Sequence, residues 1–418
     1  MTTDPPNALR TSSALGVGSL VSGLLAYVFF ALVTRALGAT DAAPVAVLWA
    51  WWGFAGAGLT FPLQHWITRS VAVHGGEGAV RRAMPAVAGM VLGLAVVVTL
   101  VSWFARDVLF REDGLTFPLL AGAVTLGSGL MGIDRGMLTA RRRFTAVGAG
   151  LIAENAVRCL AAGVLITTGN DSPAAYGACL VAGYVAAAFW PSALRVADSG
   201  VTLTTDRPLA FLSGASAGQM LSQGVLTGGP VLLAAASGAP AEVTALFAAL
   251  ALFRAPYTLA LGLVSQLTER LTRLVVTEDR AALRRFNLGV LGATIAAVAL
   301  AWVIGTTVGP PLMELVFGHG VRLSDGLTAV VAVGSAFALA NLVLTVSVMA
   351  HAWPHAVVAA WLGALVPGGV LFLMGDLGGS ALEATCAAFV ATEAVAFLEL
   401  SAISAALPGR QEHRRAER

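Results

Sequence analysis

About a dozen apolar stretches, each close to the length of a membrane-crossing helix, are separated by short gaps that hold nearly all the charge. A bilayer core about 30 Å thick takes about 20 helical residues to cross. The stretches at 12–34, 83–105 and 324–350 reach that length with no formal charge apart from Asp325. Hydrophobic residues make up 57% of the chain and charged residues 11%, which excludes an ordinary soluble domain. The expected fold class is an all-α polytopic membrane protein. Twelve spans are placed near 12–34, 43–68, 83–105, 115–133, 145–168, 174–194, 208–236, 243–268, 286–308, 324–350, 354–375 and 380–406.

Orientation follows from the arginines. Lysine is absent, so all 25 basic residues are Arg. With the N-terminus inside, nineteen of them fall in inner segments, including Arg69, Arg135, Arg141, Arg142 and Arg143. Only Arg35, Arg106, Arg111 and Arg322 fall outside, and Arg158 and Arg254 lie within spans. This positive-inside bias, with an even number of spans, puts both termini in the cytoplasm. The first stretch is too long for a signal-peptide core and reads as a retained helix. Net charge is only +2, and topology accounts for the arginines without nucleic acid.

The loop at 195–207 divides the spans six and six, giving an N-terminal bundle over 1–200, a C-terminal bundle over 201–406 and a tail over 407–418. Ala36-Leu37-Gly38-Ala39 and Ala236-Ser237-Gly238-Ala239 stand at matching places in the two halves. Six-span repeats share an orientation, with a substrate site expected between them. The segment 270–285 carries Leu271, Leu274, Val275 and Leu283 among its charges. It reads equally as a surface-lying amphipathic segment or as a helix end with a solvated linker.

Several chemistries are excluded. Without lysine there is no Walker A motif and no Schiff base. His351 and His355 are four apart, but Pro354 spoils the helix that would align them, so no metal site is expected. Cys159, Cys179 and Cys386 lie within spans at no ligand spacing and read as apolar helix residues. No nucleophile and base are paired, and no cofactor is expected. The nine tryptophans read mostly as interfacial belts, Trp49, Trp51, Trp52, Trp103 and Trp302 outside and Trp66, Trp190, Trp353 and Trp361 inside. A sugar-stacking role for the Trp49–Trp52 cluster is a further reading.

Ionised groups at membrane depth are costly, about 2.5–3.5 kcal/mol each on insertion scales, and so draw attention. Glu154 and Arg158, at i and i+4, form a local ion pair. Arg254 has no partner on its own helix and must face a cavity or a residue such as Glu393. Gln219 and Gln223 share one face of the seventh span with Ser216 and Thr227, as site residues or as interhelical hydrogen-bond partners. Asn341 reads as helix glue, and Arg35 and Arg69 as snorkelling residues at span ends. A cationic cavity suits an anionic ligand, because guanidinium binds phosphate oxygens bidentately and stays charged.

The run from Ser19 to Val28, followed by Thr34-Arg35-Ala36-Leu37-Gly38, resembles the first helix of Wzx-type polysaccharide flippases. So do Leu221-Ser222-Gln223 through Gly229-Pro230, Ala241-Glu242-Val243, Leu252-Phe253-Arg254-Ala255-Pro256 and Gly318-His319-Gly320. These flippases belong to the multidrug/oligosaccharidyl-lipid/polysaccharide (MOP) exporter superfamily. The resemblance implies two six-helix bundles in a V around a central cavity, turning over an undecaprenyl-pyrophosphate-linked oligosaccharide. It implies Arg35 and Arg254 as pyrophosphate ligands; the polar groups at membrane depth add Arg158, Gln219 and Gln223 as further substrate-binding candidates. Glu154 or Glu393 would couple transport to an ion gradient. Expected partners are the lipid-linked substrate, membrane lipids and a glycan polymerase or glycosyltransferase. A drug or lipid II exporter of the same superfamily, or a non-transporting component of glycan assembly, is the alternative. The first span lacks the carboxylate that drug exporters of the superfamily carry there.

Overall fold

A computed structural model describes residues 5–198, 217–261 and 279–416 apart from 352 and 376–378, with scattered positions between 262 and 278. Almost all are helical, and no strand occurs among them. Nine helices among the described residues are long and apolar enough to cross a membrane. Shorter apolar helices at Pro173–Phe189, Met220–Ala235 and Pro240–Phe253 occupy the other three expected stretches.

The chain divides into two compact units, Met1–Gln223 with Ala239–Thr244, and Gly224–Gly238 with Ala245–Arg418. In the first lie α1 (Pro5–Asp41), α2 (Ala43–Ala55), α3 (Phe61–His74), α4 (Gly78–Phe104), α5 (Arg106–Leu109), α6 (Thr116–Ala140), α7 (Phe144–Thr167) and α8 (Pro173–Ala182). Helix α9 (Ala217–Ala235) carries the division. Then follow α10 (Pro240–Phe253), α11 (Ala255–Leu261), α12 (Arg280–Thr307), α13 (Gly309–Phe317), α14 (Asp325–Ala350), α15 (Pro354–Met374) and α16 (Ala381–Ala416). Residues 199–216, in which the boundary was expected, lie outside the described residues, as does most of the segment 262–278.

In the first unit α1 lies along α7, and α3 and α4 lie along α6. Gly18 and Gly148 explain the first contact: a Cβ built on Gly18 would stand 2.6 Å from the Gly148 Cα. Lipid is as apolar as leucine, so helices associate there through close packing that small residues allow. The outward faces are correspondingly apolar, with Leu92, Val96, Leu100 and Phe104 of α4 all exposed. In the second unit α14 packs on α12 and α16, and α15 on α16.

Three spans differ from the uninterrupted helices expected. The second is broken by a π turn over Gly56–Thr60 between α2 and α3. The sixth passes from α8 into a 3-10 segment over Gly183–Phe189. The eighth is interrupted at Arg254 between α10 and α11. Pro256 supplies the reason, since it has no N–H to give the preceding turn. Helix α1 also outruns its expected end at 34, and its helical path is broken at Gly38, where φ is +76°.

Several tryptophans depart from the belt reading. Trp49, Trp66 and Trp361 are buried within helix packing. Trp49 stacks on Phe29 at 4.8 Å between centroids and meets Trp52 edge-on at 5.4 Å. A ring fixed on both sides fills a core and does not mark an interface. Trp302, by contrast, is exposed on α12.

Candidate functional site

Among the described residues, the densest polar cluster within the apolar helices is in the N-terminal unit, centred on α7. Glu154, Asn155 and Arg158 fall on one stripe because residues three and four apart share a helix face. All three are buried. The expected Glu154–Arg158 pair is present, with the guanidinium Nη2 donating to Glu154 Oε1. Arg158 also donates from Nη1 to Asn155 Oδ1 at 3.0 Å and from Nε to the Leu180 carbonyl at 3.0 Å. The ring of Trp52 lies 4.5 Å from its guanidinium carbon and that of Tyr184 lies 5.5 Å away.

A second arginine joins the pair. Arg135 of α6 donates from Nη2 to Glu154 Oε2, so both carboxylate oxygens are engaged by guanidinium groups. This corrects the assignment of Arg135 to an inner loop, because α6 continues to Ala140 and Arg135 is buried. Glycines signal the continuation: Gly129, Gly132 and Gly136 keep one close-packed face, on which Gly132 and Gly136 meet α3 and the π turn. Next to it, Asp134 is buried too. Asp134 Oδ1 and Arg135 Nε have no hydrogen-bond partner among the described residues.

The network spreads through neutral groups. Asn155 Nδ2 donates to Ser22 Oγ of α1 at 2.8 Å. The Tyr184 hydroxyl donates to the Val124 carbonyl at 3.1 Å and pairs with Ser128 Oγ at 3.0 Å. Thr60 of the π turn donates to the Ser128 carbonyl at 2.8 Å. Gly183 opens the 3-10 segment where Arg158 passes: a Cβ there would stand 2.5 Å from Arg158 Nε.

Elsewhere the arrangement is sparser. Glu393 of α16 is buried, and Asn341 Nδ2 of α14 donates to its Oε2 at 2.8 Å and to its carbonyl at 2.9 Å. Glu393 is not within ion-pair distance of Arg254, the partner that charge counting suggested; the described partner of its carboxylate is the Asn341 amide. Asn341 Oδ1 has no partner among the described residues. Arg254 is half-buried at the break in its span, with the Phe247 ring 6.0 Å from its guanidinium carbon. No described carboxylate is within ion-pair distance of it. Arg35 and Arg69 are exposed on α1 and α3. Gln223 is half-buried on α9, while the side chain of Gln219 and all of Ser216 lie outside the described residues. Glu399, which the charge reading passed over, is half-buried on α16 against Gly363.

A third cluster caps the arginine-rich end of the N-terminal unit. Arg141, just after α6, donates to Glu77 from Nε at 2.7 Å and from Nη2 at 2.8 Å. It also donates to the carbonyls of Ser192 and Arg195 at 2.6 and 2.7 Å, and Ala197 N donates to Glu77 Oε2 at 2.7 Å. Arg141's hydrogen bond holds the Glu77 carboxyl below its ordinary value, against an opposing push from burial. The same bond raises Arg141. The clasp ties the 190–198 segment onto the ends of α3, α4 and α6.

Residues 8–205, just under half of the chain, match the family model for polysaccharide biosynthesis proteins. The chain resembles the polysaccharide biosynthesis proteins of the MOP superfamily. Solved structures extend the likeness in fold to the whole chain. An inward-facing multidrug resistance MATE family transporter of the MOP superfamily is 17% identical, with TM-score 0.64, over 95% of each chain. A eukaryotic MATE transporter is 11% identical, with TM-score 0.62, over 97% of this chain and 98% of that one. A MOP superfamily transporter from Pyrococcus furiosus, with a binding pocket of reverse polarity, is 15% identical with TM-score 0.56 over 96% and 95%. No curated protein sequence matches the chain. The protein is a multi-pass membrane protein with the fold of MOP superfamily transporters.

Proposed function

We propose that this protein is a flippase that moves an undecaprenyl-pyrophosphate-linked oligosaccharide across the cytoplasmic membrane for surface polysaccharide synthesis. The observation that carries the reading is the match of residues 8–205 to polysaccharide biosynthesis proteins on a chain with a MOP transporter fold. The distribution of arginine supports it. Arg254 is a membrane-depth cation without a carboxylate partner among the described residues, and it stands at the break that Pro256 makes in its helix. Guanidinium in that position suits pyrophosphate, which it binds bidentately without losing its charge. Arg35 is the second ligand on this reading, and ion-coupled alternating access drives the cycle, with both termini in the cytoplasm. The protein acts by transport and not by covalent chemistry.

Replacing Arg254 with Ala tests the assignment. Glycan export should be lost while the protein remains in the membrane, since among the described residues the side chain joins no ion pair and lies 6.0 Å from the Phe247 ring. Normal export by Arg254→Ala would remove Arg254 from the site. A drug exporter of the same superfamily is the second reading, favoured by the MATE fold likeness. The absence of any carboxylate from 12–34 speaks against it.

A further inference from the structure

Arg158 is enclosed by a cage that has the chemistry of a cation site. Its three nitrogens face three oxygens of different kinds: the Glu154 carboxylate, the Asn155 amide and the Leu180 carbonyl. Carboxylate, amide and backbone oxygens are the donors that hard cations collect. Trp52 and Tyr184 add two ring faces, which attract cations through their quadrupoles. Arg158 is wholly inaccessible, at 0% exposed. Arg135 fixes the far carboxylate oxygen from another helix, so the cage keeps an anchor of its own. Gly183 leaves the opening through which the arginine stem enters.

We propose that Arg158 is a tethered cation: its guanidinium permanently fills a cation site built from Glu154, Asn155, the Leu180 carbonyl, Trp52 and Tyr184. Glu154 consequently exchanges no ion during transport, which removes it as a coupling group. Once the guanidinium is cut away, the cage accepts a small free cation, best of all guanidinium itself. The assignment is independent of the substrate carried.

Thermal unfolding of the purified full-length protein in detergent tests it. Arg158→Ala should melt below the natural protein, and millimolar guanidinium chloride should raise its midpoint by several degrees over choline chloride at equal ionic strength. The natural protein should not respond, because its site is filled, nor should Arg158→Ala/Glu154→Gln, because the anion is gone. No rise in Arg158→Ala, or an equal rise in the double variant, would overturn the proposal. If Arg158→Ala does not accumulate, Glu154→Gln is compared with Glu154→Gln/Arg158→Gln. The double variant should melt above the single one, which leaves a buried guanidinium without its anion. A double variant that melts lower, by the sum of separate losses, would overturn the proposal equally.

Discussion

In the N-terminal unit Glu154 lies between the guanidinium groups of Arg135 and Arg158, whereas in the second unit the Glu393 carboxylate has, among the described residues, the neutral amide of Asn341 as its hydrogen-bond partner. Both carboxylates are almost fully buried, at 2% and 1% exposed. They differ in what compensates the charge. A buried carboxylate satisfied by counter-charges on several helices ties those helices together, while one held by a single amide ties fewer.

Neutralising each carboxylate in turn should separate the two sites most. Glu154→Gln strands two buried guanidiniums and should cost about 3–5 kcal/mol. Glu393→Gln keeps an acceptor for Asn341 Nδ2 and should cost no more than about 1 kcal/mol. Unfolding midpoints of the two purified variants decide the matter, and equal losses would erase the distinction. On the functional side, Glu393→Gln should weaken the dependence of export on the ion gradient. Unchanged gradient dependence would return Glu393 to packing.

A smaller effect is expected where the backbone makes room for Arg158. Gly183→Ala places a methyl against Arg158 Nε and the Glu154 carbonyl. It should destabilise by about 1–3 kcal/mol, as overpacking does. The same substitution at Gly292 of α12 meets nothing within 4 Å and serves as the control.

The smallest effect belongs to the Glu77–Arg141 clasp, which is partly exposed. Glu77→Gln should cost about 1 kcal/mol in thermal unfolding. Because the Glu77 carboxyl is held below its ordinary value of 4.5, its stabilisation is present above that pH and fades as pH falls through the lowered value. Between neutrality and mild acid the clasp should therefore hold, and the natural protein and Glu77→Gln should converge in stability only in stronger acid.

Spacing made much of this legible. The apolar stretches marked the helices because crossing length and lack of charge leave a chain few alternatives. Glu154 and Arg158 announced their pairing through the i, i+4 interval. Arg135 was hidden for an instructive reason: a charge near a span end is ordinarily a loop residue, and only the glycines around it show that the helix continues. The Asn341–Glu393 contact joins residues 52 apart, and no local rule connects them. Trp49 and Trp66 look interfacial by position, yet neighbouring helices cover them. Interruptions at Gly56–Thr60 and Gly183–Phe189 lie beside the polar network, where Thr60 meets the Ser128 carbonyl and Gly183 meets Arg158, contacts that a one-dimensional pattern does not contain.

The most direct test of the proposed function is the leaflet distribution of lipid-linked oligosaccharide in cells depleted of this protein. Lipid-linked oligosaccharide should accumulate on the cytoplasmic leaflet, together with loss of surface polysaccharide. An unchanged leaflet distribution with normal surface glycan would contradict it.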